Sequence, residues 1–316
     1  MPEVSVLLPI HGTSPYLGDA IASVLAQDFG DFELLIICDR ASSETLTLAQ
    51  GASHADARVK VLVSEVAGLP SALNAGLRAS QGPFIARIDA DDLMVSNRLS
   101  SQVRHMRRDA KLVCLGSQVC YVGEKTQRSS RLPIWNWQIR LHAKTSNPIA
   151  HPSLLMRREA LVGIGGYNPE FILAQDYELL SRLTRLGKVR NSPQALTHYR
   201  VHQQQMSVAR AVERLPYEIA ALMANNQNRG MASGGLTEIL QLKKLNWKSQ
   251  EDVLGYASQF RHVSSILLFS ATKTIDLRKR FSFVLRAAAK NPFLVISTLF
   301  SSFLTRLMVS VNNLKG

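Results

Sequence analysis

Residues 84–92 of the chain read Phe-Ile-Ala-Arg-Ile-Asp-Ala-Asp-Asp. An apolar, β-prone run therefore ends in three acids, Asp89, Asp91 and Asp92, at the spacing i, i+2, i+3. If the chain turns where the strand ends, the three carboxylates converge and repel one another unless a cation or hydrogen-bond donors neutralise them. Hard divalent ions with oxygen ligands are the natural partner. The simpler alternative is a solvated acidic turn, since acids are mostly exposed.

Strands and helices alternate before and through this stretch. Apolar runs predict buried strands at residues 4–10, 32–38, 59–63 and 84–88, and helical spacing predicts helices at 19–26, 44–50 and 69–79. The alternation predicts an α/β fold with a mostly parallel sheet and helices on both faces. Ligands of such sheets bind beyond the carboxyl ends of the strands, where Asp39 and the three acids both lie.

The pattern continues to about residue 207. It predicts a basic helix at 99–108, strand-rich structure at 112–122, a strand at 151–156 and a glycine-rich turn at 163–167. Residues 174–186 have one apolar face and predict a helix with Asp176 near its start.

The character of the sequence changes near residue 208. Residues 1–205 hold 22 Lys/Arg and 18 Asp/Glu, a net charge of +4, whereas residues 206–316 hold 15 and 6, a net charge of +9. We therefore expect one domain at 1–208 and a helical, basic region at 209–316. The basic balance predicts an anionic partner, either a membrane surface, a nucleic acid or a protein.

Residues 292–311 are the most apolar segment. Their uncharged stretch, 291–305, is shorter than the roughly 20 residues that a spanning helix needs. Apolar and polar residues fall on opposite helical faces, which favours an interfacial helix on an anionic leaflet. A helix packed on the domain, a dimer contact and a true membrane span remain alternatives.

Compartment is indicated by the cysteines and the amino terminus. Cys38, Cys114 and Cys120 form no CxxC pair, which favours a reducing compartment and inert buried thiols. The first residues lack a basic stretch followed by an apolar one, so no secretory signal is predicted. We expect a cytoplasmic protein, with a peripheral position at the inner face of the plasma membrane if the basic region binds lipid.

Four groups of residues form a recognisable series along residues 3–207. They are residues 4–9 with 23–28 and 33–39, residues 68–76 with 85–92, residues 167–171 with 175–179, and residues 199–202 with Gln205 and Ser207. This series resembles family 2 glycosyltransferases of the GT-A fold, a Rossmann-like α/β domain. The resemblance implies inverting transfer of a sugar from a nucleotide diphosphate to an acceptor hydroxyl, as in a hexosyltransferase.

The resemblance also implies a divalent metal, Mn²⁺ or Mg²⁺, at the three acids. Asp91 matches the direct metal ligand, while Asp89 bonds the ribose hydroxyls or helps to hold the metal. His202 matches a closing-loop residue that reaches the metal or the diphosphate. A metal suits this chemistry, because negative charge grows on the leaving diphosphate as the glycosidic bond breaks.

Donor binding is implied for several further residues. Asp39 matches the carboxylate that pairs with the imino N–H of a uracil-type base, which favours a UDP-sugar; its alternative role is that of a helix N-cap. Pro9 and Asn74 lie within the donor-side motifs. Arg87 contacts the donor or pairs with an acid at the sheet edge.

Three positions depart from the pattern of the family. His11 stands where an aromatic residue is common and can still stack on the base. Arg40 replaces the glycine that usually follows the base-binding aspartate, which bears on the local turn and on nucleotide preference. Gln175 replaces a glutamate beside the expected catalytic base and removes a neighbouring charge.

The acceptor side is implied by a second set of residues. Asp176 matches the catalytic base that takes the proton of the acceptor; its alternative role is a helix-start acid stabilised by the helix dipole. On the acceptor side we also expect His151, Ser153 and Gln175. The acceptor itself is expected to be a lipid-linked or growing glycan in surface polysaccharide or glycolipid synthesis.

Other functions fit the sequence less well. A sugar-nucleotide nucleotidyltransferase uses a similar fold but normally has a basic loop after the first strand, and residues 10–16 contain no Lys or Arg. A nucleic-acid-binding role for residues 209–316 lacks interleaved aromatics and a clear recognition helix, so no nucleic acid partner is predicted. A transferase without turnover is disfavoured by the joint presence of Asp39, Asp89, Asp91 and Asp176.

Overall fold

The computed structural model describes residues 1–123 and 127–202, together with 213–214, 217–218 and 220–222. The predicted boundary at residue 208 and the apolar segment 292–311 lie outside these residues, as does most of the predicted helical region 209–316. Among the helices that are described, none combines the length and the apolar character needed to cross a membrane.

The described residues contain a single nine-stranded sheet. Its strands are β1 (Val4–Gly12), β2 (Phe32–Ala41), β3 (Val59–Val63), β4 (Phe84–Arg87), β5 (Leu93–Met94), β6 (Leu112–Val122), β7 (Gln127–Ser129), β8 (Leu155–Arg157) and β9 (Lys188–Arg200). The spatial order is β3-β2-β1-β4-β8-β6-β9-β5, and β7 pairs with β6. The β1–β2, β2–β3, β1–β4 and β6–β9 ladders are parallel and contain most of the paired residues, which confirms the predicted mostly parallel sheet.

Seven α-helices with defined bounds accompany the sheet, and the described residues 213–214, 217–218 and 220–222 are also helical. The seven are α1 (Leu17–Leu25), α2 (Ser43–Ala55), α3 (Leu69–Ala79), α4 (Arg98–Arg108), α5 (Asn136–His142), α6 (Arg158–Gly163) and α7 (Gln175–Leu186). Local signals explain two of the starts. The Ser42 hydroxyl accepts a hydrogen bond from Thr45 N–H and caps α2. Gly68, at a φ of 106°, and Pro70 in the first turn begin α3.

Alternate residues of the central strands point into two separate cores. Leu7 and Leu35 face one core, which α3, α5, α6 and α7 cover, whereas Val6 and Leu34 face the other, which α1, α2 and α4 cover. Because both faces are buried, β1 and β2 are almost continuously apolar. This arrangement confirms the predicted helices on both faces.

Some predicted elements differ in detail. Residues 151–156 were expected to form one strand, but His151–Ser153 form a 3₁₀ turn and only Leu155–Arg157 are extended. Pro152 favours the turn, because it has no N–H for a sheet ladder and its φ is fixed near the helical value. The short helices α5 and α6 were not expected. All three cysteines are buried free thiols, as predicted.

Candidate active site

The chain order opens a crevice between β1 and β4. The chain runs outward from β1 through β2 and β3, then returns to form β4 on the other side of β1. Strand β1 pairs with β4 only as far as Leu7 and Arg87, but with β2 as far as Gly12. The strands therefore separate at their carboxyl ends, where ligands of such sheets bind. Pro9 borders this gap, where its missing N–H costs no bond to β4.

The acidic turn, residues 89–92, follows β4 directly. Asp92 N–H bonds the Asp89 carbonyl at 3.2 Å, and one carboxylate oxygen from each of Asp89, Asp91 and Asp92 lies within 4.8 Å of the others. The predicted convergence is confirmed. Burial, together with the charges of Asp89 and Asp91, raises the pKa of Asp92 to about 9. Burial also raises the pKa of Asp89, against the lowering effect of Arg87.

These residues fit a hard divalent cation. Asp92 is 1% exposed, and its Oδ2 has no hydrogen-bond partner among the described residues. Its Oδ1 accepts a hydrogen bond from Arg200 N–H at 2.9 Å. The raised pKa values of Asp89 and Asp92 reflect burial first and repulsion between the carboxylates second, and a bound cation opposes both by favouring the charged forms. Converging carboxylate oxygens are the donor set that Mg²⁺ and Mn²⁺ prefer.

Two buried arginines hold the base of the acidic turn. Arg87 bonds both carboxylate oxygens of Asp89. Burial is the largest effect and lowers the pKa of Arg87, but the charge and hydrogen bonds of Asp89, together with the smaller effects of Tyr167 and Asp92, outweigh it and raise that pKa. Arg98 donates to the carbonyls of Arg87 at 2.8 Å, Pro152 at 2.6 Å and Leu154 at 3.2 Å. The acid pairing considered for Arg87 is therefore present, and it fixes the orientation of Asp89.

The end of β9 closes over the acidic turn. His202 Nε2 lies 2.9 Å from Asp91 Oδ2, and Arg200 Nε donates to the Asp91 carbonyl at 2.9 Å. The Arg200 guanidinium lies 4.1 Å from the centre of the Tyr16 ring, and the Tyr16 and His202 rings are 5.5 Å apart. His202 thus reaches the acids from a separate part of the chain.

A second carboxylate lies at the carboxyl end of β2. Asp39 is 5% exposed. Its Oδ2 accepts a hydrogen bond from Gly68 N–H at 2.9 Å and lies 3.3 Å from His11 Nδ1. Its Oδ1 has no hydrogen-bond partner among the described residues. The alternative of Asp39 as a helix cap is wrong, because Ser42 caps α2. Arg40 adopts a left-handed backbone, with a φ of 51°.

Asp176 lies in the first turn of α7. Its Oδ2 accepts a hydrogen bond from Asn147 Nδ2 at 2.7 Å. Its charge is one of the effects that raise the pKa of Asp89, after burial and the charge of Asp91. The preceding Ala174 has a left-handed backbone, with a φ of 54°. Asp176 therefore lies at a helix start, within electrostatic reach of the acidic turn.

The other residues predicted on the acceptor side are buried. His151 Nε2 lies 2.9 Å from the Tyr167 hydroxyl. Burial and the charge of Arg87 lower the pKa of His151 well below its ordinary value, while burial raises that of Tyr167. The contact therefore joins a neutral imidazole to a protonated phenol. Ser153 is fully buried and donates to the Ala150 carbonyl at 2.8 Å, and Gln175 is 8% exposed.

Asn74 joins α3 to the segment before α7. Its Nδ2 donates to the Tyr167 carbonyl at 2.7 Å, and its Oδ1 accepts from Tyr167 N–H at 2.8 Å. We call this two-bond contact the Asn74–Tyr167 clamp. The clamp uses the amide oxygen of Asn74 and one of its N–H groups. The nucleotide-sugar-binding role expected for Asn74 stays a prediction.

The crevice, the acidic turn and the two further carboxylates are the parts expected from the motifs. A family model described as Glycosyl transferase family 2 matches residues 5–164, half of the chain. The chain belongs to this family. The glycosyltransferase is 29% identical over 206 residues to the O-antigen biosynthesis glycosyltransferase WbnJ of Escherichia coli, across 63% of this chain and 80% of that protein.

Two solved structures share the fold of this glycosyltransferase. One is residues 1–349 of TarS from S. aureus, in complex with UDP-GlcNAc, with a TM-score of 0.64, 16% identity and coverage of 96% of this chain and 92% of that one. The other is the mannosyltransferase PcManGT from Pyrobaculum calidifontis, in complex with GDP-Man and Mn²⁺, with a TM-score of 0.58, 16% identity and coverage of 99% and 87%. These likenesses confirm the predicted fold class.

Several residues of this glycosyltransferase site were not expected from the sequence. Asn147 and Tyr16 carry no motif, and each meets its partner across a long separation in the chain. Arg98 bonds mainly backbone carbonyls, which leave no trace in residue types. The polar composition of residues 131–147 was the only signal near Asn147.

Proposed function

We propose that this glycosyltransferase is a metal-dependent, inverting enzyme that transfers a hexosyl group from a UDP-sugar to an acceptor hydroxyl. The observation that carries the proposal is the position of Asp39 and the acidic turn at the carboxyl ends of the parallel strands β2 and β4, with Asp176 within electrostatic reach of that turn. Each answers a separate need of the reaction: recognition of the nucleotide, neutralisation of the diphosphate and removal of the acceptor proton.

Asp39 supports recognition of a uracil-type base. Its buried Oδ1 lacks a hydrogen-bond partner among the described residues, and a base with a ring N–H satisfies it. His11, whose side chain is 63% exposed beside Asp39, offers a ring on which the base can stack. The UDP-GlcNAc bound by TarS is consistent with such a donor, although PcManGT binds GDP-Man. Pro9 lines the same crevice.

The acidic turn is proposed to hold Mn²⁺ or Mg²⁺. Asp91 is the direct ligand, Asp89 holds either the metal or the ribose, and His202 adds a nitrogen ligand from the closing strand. The Arg87 ion pair restricts Asp89 to one orientation. When bound, the metal supplies the positive charge that stabilises the departing diphosphate. The complex of PcManGT with Mn²⁺ supports this assignment.

Asp176 is proposed as the general base. Asn147 donates to one of its oxygens, which orients the carboxylate and leaves the other oxygen for the acceptor hydroxyl. Inversion follows if that hydroxyl attacks from the side opposite the diphosphate. His151, Ser153 and Gln175 are proposed to shape this side, the first two through their buried hydrogen bonds.

The acceptor is proposed to be a lipid-linked or growing glycan of a surface polysaccharide. The name of WbnJ, an O-antigen biosynthesis glycosyltransferase, supports that class. The sequence of residues 206–316, with its net charge of +9, supports contact with an anionic membrane surface. Co-sedimentation with anionic but not neutral vesicles is the expected result; equal binding to both, or to neither, argues against it.

The donor and metal assignments are tested by calorimetric titration with UDP-, dTDP- and GDP-sugars, with and without Mn²⁺ or Mg²⁺. We expect metal-dependent binding of a uridine sugar by the wild type and loss of that binding in Asp91→Ala. The matched control is Asp56→Ala, which removes an acid that pairs with Arg58 outside the site. No nucleotide binding with either metal would refute the proposal, and NMR of the product anomer tests inversion.

A further inference from the structure

Arg40 occupies a bulge beside the base site. His11 of β1 pairs with Asp39 of β2, but the next residue, Gly12, pairs with Ala41, so Arg40 is the extra residue of the bulge. Its φ of 51° is left-handed, which ordinary side chains avoid and glycine adopts freely. Bulges next to active sites commonly redirect a side chain. A residue with this backbone cost is therefore a candidate for a function.

The bulge brings Arg40 to the unpartnered oxygen of Asp39. In a regular strand, consecutive side chains point to opposite faces. Here Arg40 Nε lies 3.9 Å from Asp39 Oδ1, while its side chain stays 70% exposed. Gly68 N–H and His11 already contact Oδ2. One buried acceptor thus lies beside a guanidinium that is exposed to an incoming ligand.

This pair matches one edge of a pyrimidine. A planar guanidinium donates hydrogen bonds in a fixed fork, so Arg40 and Asp39 Oδ1 together offer donors next to a single acceptor. The imide edge of uracil presents an N–H next to a carbonyl oxygen, which satisfies both. Cytosine instead presents a lone pair at the same ring nitrogen, which faces the carboxylate and repels it.

We infer that Arg40 is a specificity-determining residue of the donor site, which bonds a carbonyl oxygen of uracil while Asp39 accepts the ring N–H. The inference rests on the proposed nucleotide-sugar donor and adds a residue to its recognition. UDP and CDP are the discriminating probes, because they carry the same diphosphate and ribose and differ in the base alone.

The test is calorimetric titration of the full chain with UDP and with CDP, in Mn²⁺ at fixed ionic strength. The test variant is Arg40→Gly. The control variant is Arg78→Ala, which also removes one exposed positive charge, but from the last turn of α3, whereas Gly68 beside Asp39 precedes the first turn. We expect the wild type to prefer UDP. Arg40→Gly should lose roughly ten- to a hundredfold of UDP affinity, the range of a charge-assisted hydrogen bond, with CDP affinity little changed.

Three outcomes overturn the inference. Equal loss of UDP and CDP affinity in Arg40→Gly means that Arg40 only attracts phosphate, and no loss means that it plays no part in binding. If the wild type binds neither nucleotide, the proposed nucleotide-sugar site itself is refuted. That result is distinct from the first two, in which the site binds nucleotide but Arg40 does not select the base. A melting temperature of Arg40→Gly at or above that of the wild type, as expected when left-handed strain is relieved, excludes damage to the fold.

Discussion

The Asn74–Tyr167 clamp makes Gly166 a sensitive position, and its neighbour Gly165 supplies a matched control. Both glycines have left-handed backbones, with φ of 71° and 80°. A Cβ atom at Gly166 would lie 2.4 Å from Asn74 Oδ1 and 3.3 Å from Leu77 Cδ2, whereas one at Gly165 meets no atom within 4 Å. Alanine therefore introduces the same backbone strain at both sites but a collision only at Gly166.

The expected costs follow from these contacts. Left-handed strain costs alanine about 1 kcal/mol at either position. At Gly166 the amide of Asn74 must also swing away, and the loss of its two hydrogen bonds adds about 1 kcal/mol for each bond. We expect Gly165→Ala to lower the free energy of unfolding by about 1 kcal/mol and Gly166→Ala to lower it by about 3 kcal/mol.

Urea denaturation followed by tryptophan fluorescence measures these values. Asn74→Ala should cost about 2 kcal/mol for the same two hydrogen bonds. The double variant Asn74→Ala with Gly166→Ala should lower the free energy of unfolding by about 3 kcal/mol rather than by the sum of about 5. The reason is that Asn74→Ala already removes the side chain with which the new Cβ atom would collide. Equal costs for Gly165→Ala and Gly166→Ala, or an additive double variant, would refute this account of the clamp.

Two further predictions concern the site itself. Asp176→Asn should lower kcat at least about a hundredfold, the usual range for a lost general base, while the affinity for the nucleotide-sugar donor stays unchanged in titrations. The control variant is Glu159→Gln, which alters an acid of α6. An unchanged kcat in Asp176→Asn would argue against Asp176 as the base. In EDTA the melting temperature should fall as pH rises from about 4 to about 9, because folded Asp92, with its pKa of about 9, keeps a proton that the unfolded chain releases. Mn²⁺ should flatten this dependence of the melting temperature on pH, because the cation takes the place of the proton. Asp92→Asn should flatten it too, because the titrating group is gone. A wild type whose melting temperature in EDTA does not change with pH would contradict the argument.

Much of the fold could be predicted because its signals are local. The buried strands are apolar runs, and their carboxyl ends follow from where those runs stop. The convergence of Asp89, Asp91 and Asp92 could be predicted for the same reason: the strand ends at Arg87 and the chain turns at once.

The contacts that complete the site are non-local, and residue types do not encode them. Asn147 reaches Asp176 across 29 residues, and Asn74 reaches the backbone of Tyr167 across 93. A backbone partner can belong to any residue type, so no pattern reports it. The left-handed turn at Arg40 was likewise not readable, since glycine is the usual signal for that conformation.

Arg98 has a consequence for the substitutions that the segment beside β4 can accept. Three of its hydrogen bonds go to the carbonyls of Arg87, Pro152 and Leu154, which every amino acid supplies. A substitution within residues 151–154 that keeps the packing of these buried side chains therefore leaves the link between that segment and β4 in place. One fixed arginine thus holds the backbone of this buried segment in position whatever side chains the segment carries.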